Sequence, residues 1–335
     1  MNNNPIDYSR YYIWGWHDDS KYQFSIDRIL KDSPNKIVIF APEESEHDRQ
    51  LVDVTYSKLD SDITVVIGSA KSDFYVKPIS KNVTVCHWPT YWINATYYQY
   101  RDKPSLVDQS KVDKLYISLN MVAHTHRCMM MDELSHYDLI KHGHISWHEP
   151  DTQAYQWKYW KPQLLLVDPE YHDSEFNRIN SYYLPPEYGT TLFNLIAETS
   201  IITPFITEKT ITALFFKKPF MVYGAKGFHK ALTNMGFELY DELFDYSFDE
   251  IEDPSERLIG IMENINNLKD QDYELLRSKV SAKTLRNHNH LIEIATSSKY
   301  IPEFVLSYLS TLKQQPELIL PRDEWYLSLE KLLVE

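Results

Sequence analysis

Two α/β units in series, with a cleft between them, are the architecture this chain predicts, and three observations carry it. Apolar, β-rich runs alternate with segments of helical period from residue 11 to residue 268, the pattern of mainly parallel sheets covered on both faces. One polar, proline-bearing stretch, RDKPSLVDQSKVD at 101–113, interrupts the alternation and reads as a linker. With 43% apolar and 14% aromatic residues among 335, the chain can bury one large core or two medium ones.

Taken in order, YYIWGW (11–16), KIVIF (36–40), ITVVIG (63–68) and VTVCHW (83–88) read as short buried strands, with FSIDRIL (24–30) a helix between the first two. They make an α/β layer of about 100 residues before the linker. The second series opens with KLYISLN (114–120) as a strand and HRCMMMDELSHYDLI (126–140) as a helix whose apolar positions are Met130, Leu134 and Tyr137. TLFNLIAET (191–199) leads to a helix at TEKTITALFF (207–216), a strand at KPFMVYG (218–224), and a helix at FHKALTNMG (228–236) closed by a glycine. PSERLIGIMENINNL (254–268) is an amphipathic helix with Pro254 at an early position. LILPRDEWYLSLEKLLVE (318–335) again has helical spacing.

Composition narrows the function classes. Two cysteines, Cys86 and Cys128, provide no disulfide framework and no four-thiolate metal site, which favours a reducing compartment. No 18-residue apolar run and no basic-then-apolar start is present, so the expectation is a soluble, cytoplasmic protein without a membrane span. A formal charge of −14 argues against broad attraction to nucleic acid or anionic lipid. A local cationic pocket for a phosphorylated small molecule stays open. Six histidines (His124, His126, His136, His142, His144 and His148) fall within 25 residues, but their spacing matches no zinc signature. No metal and no cofactor is expected.

One short region concentrates polar chemistry between apolar runs: LIAETS (195–200) followed by FITEKT (205–210). With a helix starting near 207, Thr207, Glu208 and Lys209 occupy its first turn, where free N–H groups and the positive dipole end favour an anion. Lys209 adds a mobile ammonium for phosphate, and Glu208 an acceptor suited to a ribose diol. The same residues also read as a capped helix, with Thr207 the cap and Lys209 solvated.

ETSIITPFITEK (198–209) resembles the donor-binding signature of the alpha-1,3-fucosyltransferases: Glu-Asn-Ser, a short spacer with an aromatic, then Thr-Glu-Lys. The spacing of the two glutamates is the same; Phe205 stands for the family's tyrosine, and Thr199 departs from its asparagine. LYISLNMVAHTHRCMMMDEL (115–134) resembles the strand, asparagine and helix-borne arginine that open the family's C-terminal domain, and KKPFMVYG (217–224) its strand after the Thr-Glu-Lys helix. VTVCHWPTYW (83–92) and VIFAPEES (38–45) loosely resemble segments of its N-terminal domain. Chains of large DNA viruses and phages described as glycosyltransferases are similar in the same punctuation.

The resemblance implies a GT-B fold, two Rossmann-like domains facing across a cleft. Residues 1–110 would be the acceptor domain and 111–295 the nucleotide-sugar domain, with helices in 296–335 returning to the first. It implies a glycosyltransferase moving a sugar from a nucleotide-sugar donor, such as GDP-fucose, to a glycan hydroxyl, inverting and metal-independent. Arg127 and Lys209 would contact the donor diphosphate and Glu208 the ribose, with Glu198 lining the sugar end. Asn120, His126 and Thr207 would complete the donor subsite. A departing nucleoside diphosphate can be stabilised by such cations and a helix N-terminus. The acceptor-activating base would be Glu44 or Glu43, just after a strand, with Asp18 and Asp19 as a second pair. A retaining transferase and a non-catalytic carbohydrate-binding protein on the same fold are the alternatives. A nucleotide-sugar-modifying enzyme of the doubly wound class is disfavoured, since none of the eight glycines forms G-x-G-x-x-G.

Overall fold

The computed structural model describes residues 13–14, 36–41, 62–70, 83–101, 111–148, 155–165, 167 and 184–314. The expected helix at 24–30, the helical spacing at 318–335, most of the linker (102–110), and Glu43, Glu44, Asp18 and Asp19 lie outside them. The strands are β1 (Ile13–Trp14), β2 (Lys36–Ala41), β3 (Asp62–Ile67), β4 (Val83–His87), β5 (Lys114–Asn120), β6 (Gly143–Trp147), β7 (Thr191–Ala197) and β8 (Phe220–Tyr223). The α-helices are α1 (Tyr91–Tyr100), α2 (Thr125–His136), α3 (Glu208–Phe215), α4 (Phe228–Asn234), α5 (Pro254–Leu268), α6 (Tyr273–Thr296) and α7 (Glu303–Gln314). The fold is mixed α/β with two parallel sheets. Two compact units divide the chain: Met1–Tyr98 with Glu293–Glu335, and Gln99–Ile292.

In the first unit the strand order is β1-β2-β3-β4, every pair parallel, with Lys36–Ala41 in register against Asp62–Ile67. Val65, Val66 and Ile67 are buried, as the β-branched run at 63–68 predicts. The sequence expectation had no helix at α1, because YWINATYYQY is rich in residues that also favour strands. Asn94 on α1 donates to the Ile294 and Ala295 carbonyls at 3.5 and 3.4 Å, meeting two of the orphan acceptors at the end of α6.

The second unit orders its strands β6-β5-β7-β8, again all parallel. β7 lies between β5 and β8, and all seven of its residues are buried, which is why TLFNLIA reads as a continuous run. α5 begins where Pro254 sits at its first position and Asp253 accepts the Ser255 and Glu256 N–H groups, an N-cap of the usual kind. It buries Leu258, Ile261, Met262, Ile265 and Leu268, a stripe at helical spacing.

Two details differ from expectation. α2 stops at His136 rather than near 140; Asp138 takes a left-handed φ of 55° and the Leu139 N–H reaches the Leu134 carbonyl at 2.8 Å. Tyr137 therefore lies past the helix. This is a Schellman-type turn made without glycine, so no residue announced it. β6 was also unforeseen, since GHISW carries little apolar content. Gly143 is required there because a Cβ would run into the Tyr116 ring on β5.

Beyond β6, the 155–160 segment is fastened to α2. Asp132 is buried, and its carboxylate accepts the N–H groups of Lys158, Tyr159 and Trp160 at 2.7–3.2 Å, with the Tyr155 hydroxyl at 3.4 Å. Trp147, Trp157 and Trp160 pack edge to face at centroid separations of 5.1–5.9 Å, so the aromatic wealth here is packing.

Candidate functional site

β5 and β7 are neighbours, yet the chain leaves β5 toward β6 on one side and β7 toward β8 on the other. Such a reversal is a topological switch point, and open parallel sheets form ligand crevices outside the strand carboxyl ends there. β5 ends at Asn120 and β7 at Ala197, and the helices that follow, α2 and α3, begin at Thr125 and Glu208. Asn120, His126 and Arg127 from the 115–134 segment, and the 198–209 segment, thereby lie at the two strand-to-helix connections at this point.

They are joined directly. The His126 Nε2–H donates to the Glu198 carbonyl at 2.7 Å. Burial, opposed by that carbonyl bond and helped by the Arg127, His124 and Lys209 charges, holds the His126 pKa down at about 4, so its ring is neutral near pH 7. Arg127 follows His126 in the chain, and Lys209 Nζ lies 3.9 Å from the Glu198 carboxylate, so both cations border this joint. The His124 ring stacks on it at 5.8 Å.

Glu198 is fully buried, and its carboxylate organises the start of α3. Oε1 accepts the Thr207 N–H at 3.2 Å and the Thr210 hydroxyl at 2.7 Å. Oε2 accepts the Thr207 hydroxyl at 2.6 Å and the Thr199 N–H at 3.2 Å. Glu198 is thus enclosed and engaged, a positioning residue for the helix terminus rather than an open wall of the crevice. Thr207 is the N-cap of α3, and its side chain accepts from the Lys209 N–H.

Lys209 stands on this base. Nζ donates to Thr199 Oγ1 at 3.1 Å, Thr207 Oγ1 at 3.2 Å and Glu208 Oε1 at 3.0 Å, and lies 3.9 Å from Glu198 Oε2. Its side chain is 26% exposed and that of Glu208 29%, so both can meet a ligand. Burial raises the Glu208 pKa, but the Lys209 charge and hydrogen bond outweigh it and leave the carboxyl below its usual range.

Arg127 is buried, and its Nη1 donates to the Val122 carbonyl at 2.9 Å, bracing the β5–α2 loop. Asn120 is also buried; its N–H donates to Ser146 Oγ at 3.0 Å and its amide to Ser118 Oγ at 3.1 Å, which ties the end of β5 to β6. Phe205, within the 198–209 loop, is buried.

Sequence reasoning missed Thr210, the inward hydroxyl that completes the Glu198 cluster, and gave Thr199 no role. Thr210 had one legible signal, a hydroxyl three residues after an N-cap threonine. Among the described residues, no three His, Cys, Asp or Glu side chains converge as a metal site would need, and no helix is long and apolar enough to cross a membrane. The arrangement brings two cations, a neutral imidazole and a helix N-terminus to one switch point. Searches of family models, of curated proteins and of solved structures return no significant match to this chain.

Proposed function

We propose that this chain is a glycosyltransferase of GT-B architecture that binds a nucleotide-sugar at the carboxyl ends of β5 and β7 and transfers the sugar to a glycan hydroxyl. The observation that supports this most is the joining of the His126–Arg127 helix start to the Glu198–Lys209 loop at the switch point. In this reading Lys209, with Arg127 behind it, balances the charge of the departing nucleoside diphosphate, and α3 adds its N-terminal dipole. Glu208 accepts from the ribose hydroxyls. Glu198 acts through Thr207 and Thr210, holding the terminus in place before the donor arrives. The acceptor hydroxyl loses its proton to Glu44, or failing it Glu43, as inversion requires a base opposite the leaving group. The two cations and the helix terminus take the part a divalent ion plays in other folds, so turnover should persist in chelator.

The test is a thermal-shift screen against nucleoside diphosphates and their sugars, followed by calorimetry on the best binder. Lys209→Ala should weaken that binder by roughly 1.5–3 kcal/mol, the range for a charge-assisted contact. Its melting curve should stay close to wild type, because the side chain is part-exposed. An unchanged affinity would return the motif to the capping role of its first turn alone.

A further inference from the structure

At the opposite, amino-terminal edge of the β7–β8 sheet lies a cavity of about 470 Å³, lined by Lys217, Lys218, Arg277 and Glu274 together with Tyr188 and Phe216 among others. Three cations against one carboxylate is an unusual balance in a chain of net charge −14. The Glu274 carboxylate is already engaged, by Arg277 at 2.6 Å and by the Val112 N–H at 2.8 Å.

Lys218 is 7% exposed, a lysine where lysines are rarely buried without a counter-ion. Its Nζ donates to the Tyr188 carbonyl at 2.6 Å and to the Thr191 carbonyl, and stands 5.3 Å from the Tyr188 ring centroid. Its third N–H has no acceptor among the described residues. Burial, with the Arg277 charge acting in the same direction, brings its pKa down to about 7. The next residue back carries a second departure. Lys217 holds a left-handed φ of 56° just past α3, where the Lys218 N–H closes onto the Ala213 carbonyl at 2.8 Å. Helix-ending turns of this kind favour glycine, and a lysine there is strained.

We propose that this cavity is a second anion site, taking a phosphate monoester with a small aromatic body, whose phosphate meets Arg277 and Lys217 within reach of Lys218 and whose ring packs on Phe216. A bound dianion supplies a counter-charge that Lys218 does not find among the described residues, and Lys217 adds a second ammonium to the same wall. The site is separate from the donor crevice, which lies at the other ends of the same strands, and does not depend on the transferase reading.

Pyridoxal 5′-phosphate is the probe, since it carries the phosphate, the ring and an aldehyde that reports on the amine. The Lys218 nitrogen adds to the aldehyde carbon, water departs, and borohydride delivers a hydride to the imine carbon, leaving a stable secondary amine. Peptide mapping should find Lys218 labelled about tenfold above the typical lysine, with millimolar pyrophosphate suppressing the label. Even labelling across the lysines, or labelling centred on Lys209, overturns the proposal. Lys217→Gly provides the second arm: relief of the left-handed strain should raise Tm by roughly 2–4 °C, while reversible affinity for the probe falls about fivefold. A variant with raised Tm and unchanged affinity, together with Arg277→Gln binding as wild type, also overturns it.

Discussion

Glutamate to glutamine is ordinarily the mildest way to remove a carboxylate, but at Glu198 it should be severe. Each oxygen of this buried group accepts a backbone N–H, from Thr207 at Oε1 and from Thr199 at Oε2. A threonine hydroxyl can turn and accept from an amide; a backbone N–H cannot. In either orientation the glutamine NH₂ therefore faces a fixed donor. One orphaned N–H costs about 1–3 kcal/mol, and the surviving bonds lose the added strength of a charged acceptor. The sum is about 3 kcal/mol for Glu198→Gln, a Tm loss of roughly 6–12 °C in a unit of this size. Thermal unfolding followed by near-UV circular dichroism reads it, and calorimetry with the best nucleoside diphosphate reads binding in parallel. A variant within about 0.5 kcal/mol of wild type would refute the orphaned-donor reasoning. Unchanged stability with lost affinity would instead make Glu198 a ligand contact, as the family resemblance implies.

Two further outcomes are expected. His126 has a folded pKa of about 4 against about 6.5 unfolded, so between those values the unfolded chain binds more protons. Stability should fall as pH drops through that window, by up to about 3 kcal/mol, and His126→Gln should flatten the profile; identical profiles for the two proteins would oppose this. Glu44→Gln, with Glu43→Gln as its companion, should cut turnover about 10²-fold while donor affinity survives. Near-normal turnover in both variants would move the base to Asp18 or Asp19.

Much of the sheet-and-helix order was readable because strong signals agree. Capping and periodicity coincide at Pro254–Leu268, and Thr207 with the apolar run behind it marks α3. β6 and α1 were not readable: GHISW owes its strand to pairing with β5, and YWINATYYQY has composition that favours either state. Tertiary context decided both. At the candidate site, residue types singled out two loops that the fold does bring to one switch point, because His126 reaches the Glu198 carbonyl. What pattern could not reveal was direction. Glu198 and Asn120 turn inward and spend their polar atoms on structure, and only the hydrogen-bond partners distinguish that from a crevice wall.

The grip of Asp132 on three successive amides also sets a timetable. Its contacts span 26–28 residues, whereas β5 must wait for Thr191 before Lys114 finds its partner on β7. Shorter closures form sooner, because less chain entropy is lost in making them. β5, α2, β6 and the tryptophan segment can thus assemble as a nucleus that already carries His126 and Arg127, while the Glu198 half arrives later from downstream. Pulse-labelled hydrogen exchange during refolding should protect the Lys158–Trp160 amides before that of Thr207; the reverse order would deny the sequence of events. The joint between His126 and Glu198 would then close only when β7 docks, so a chain stalled before that step carries His126 and Arg127 but lacks the carboxylate that braces the start of α3.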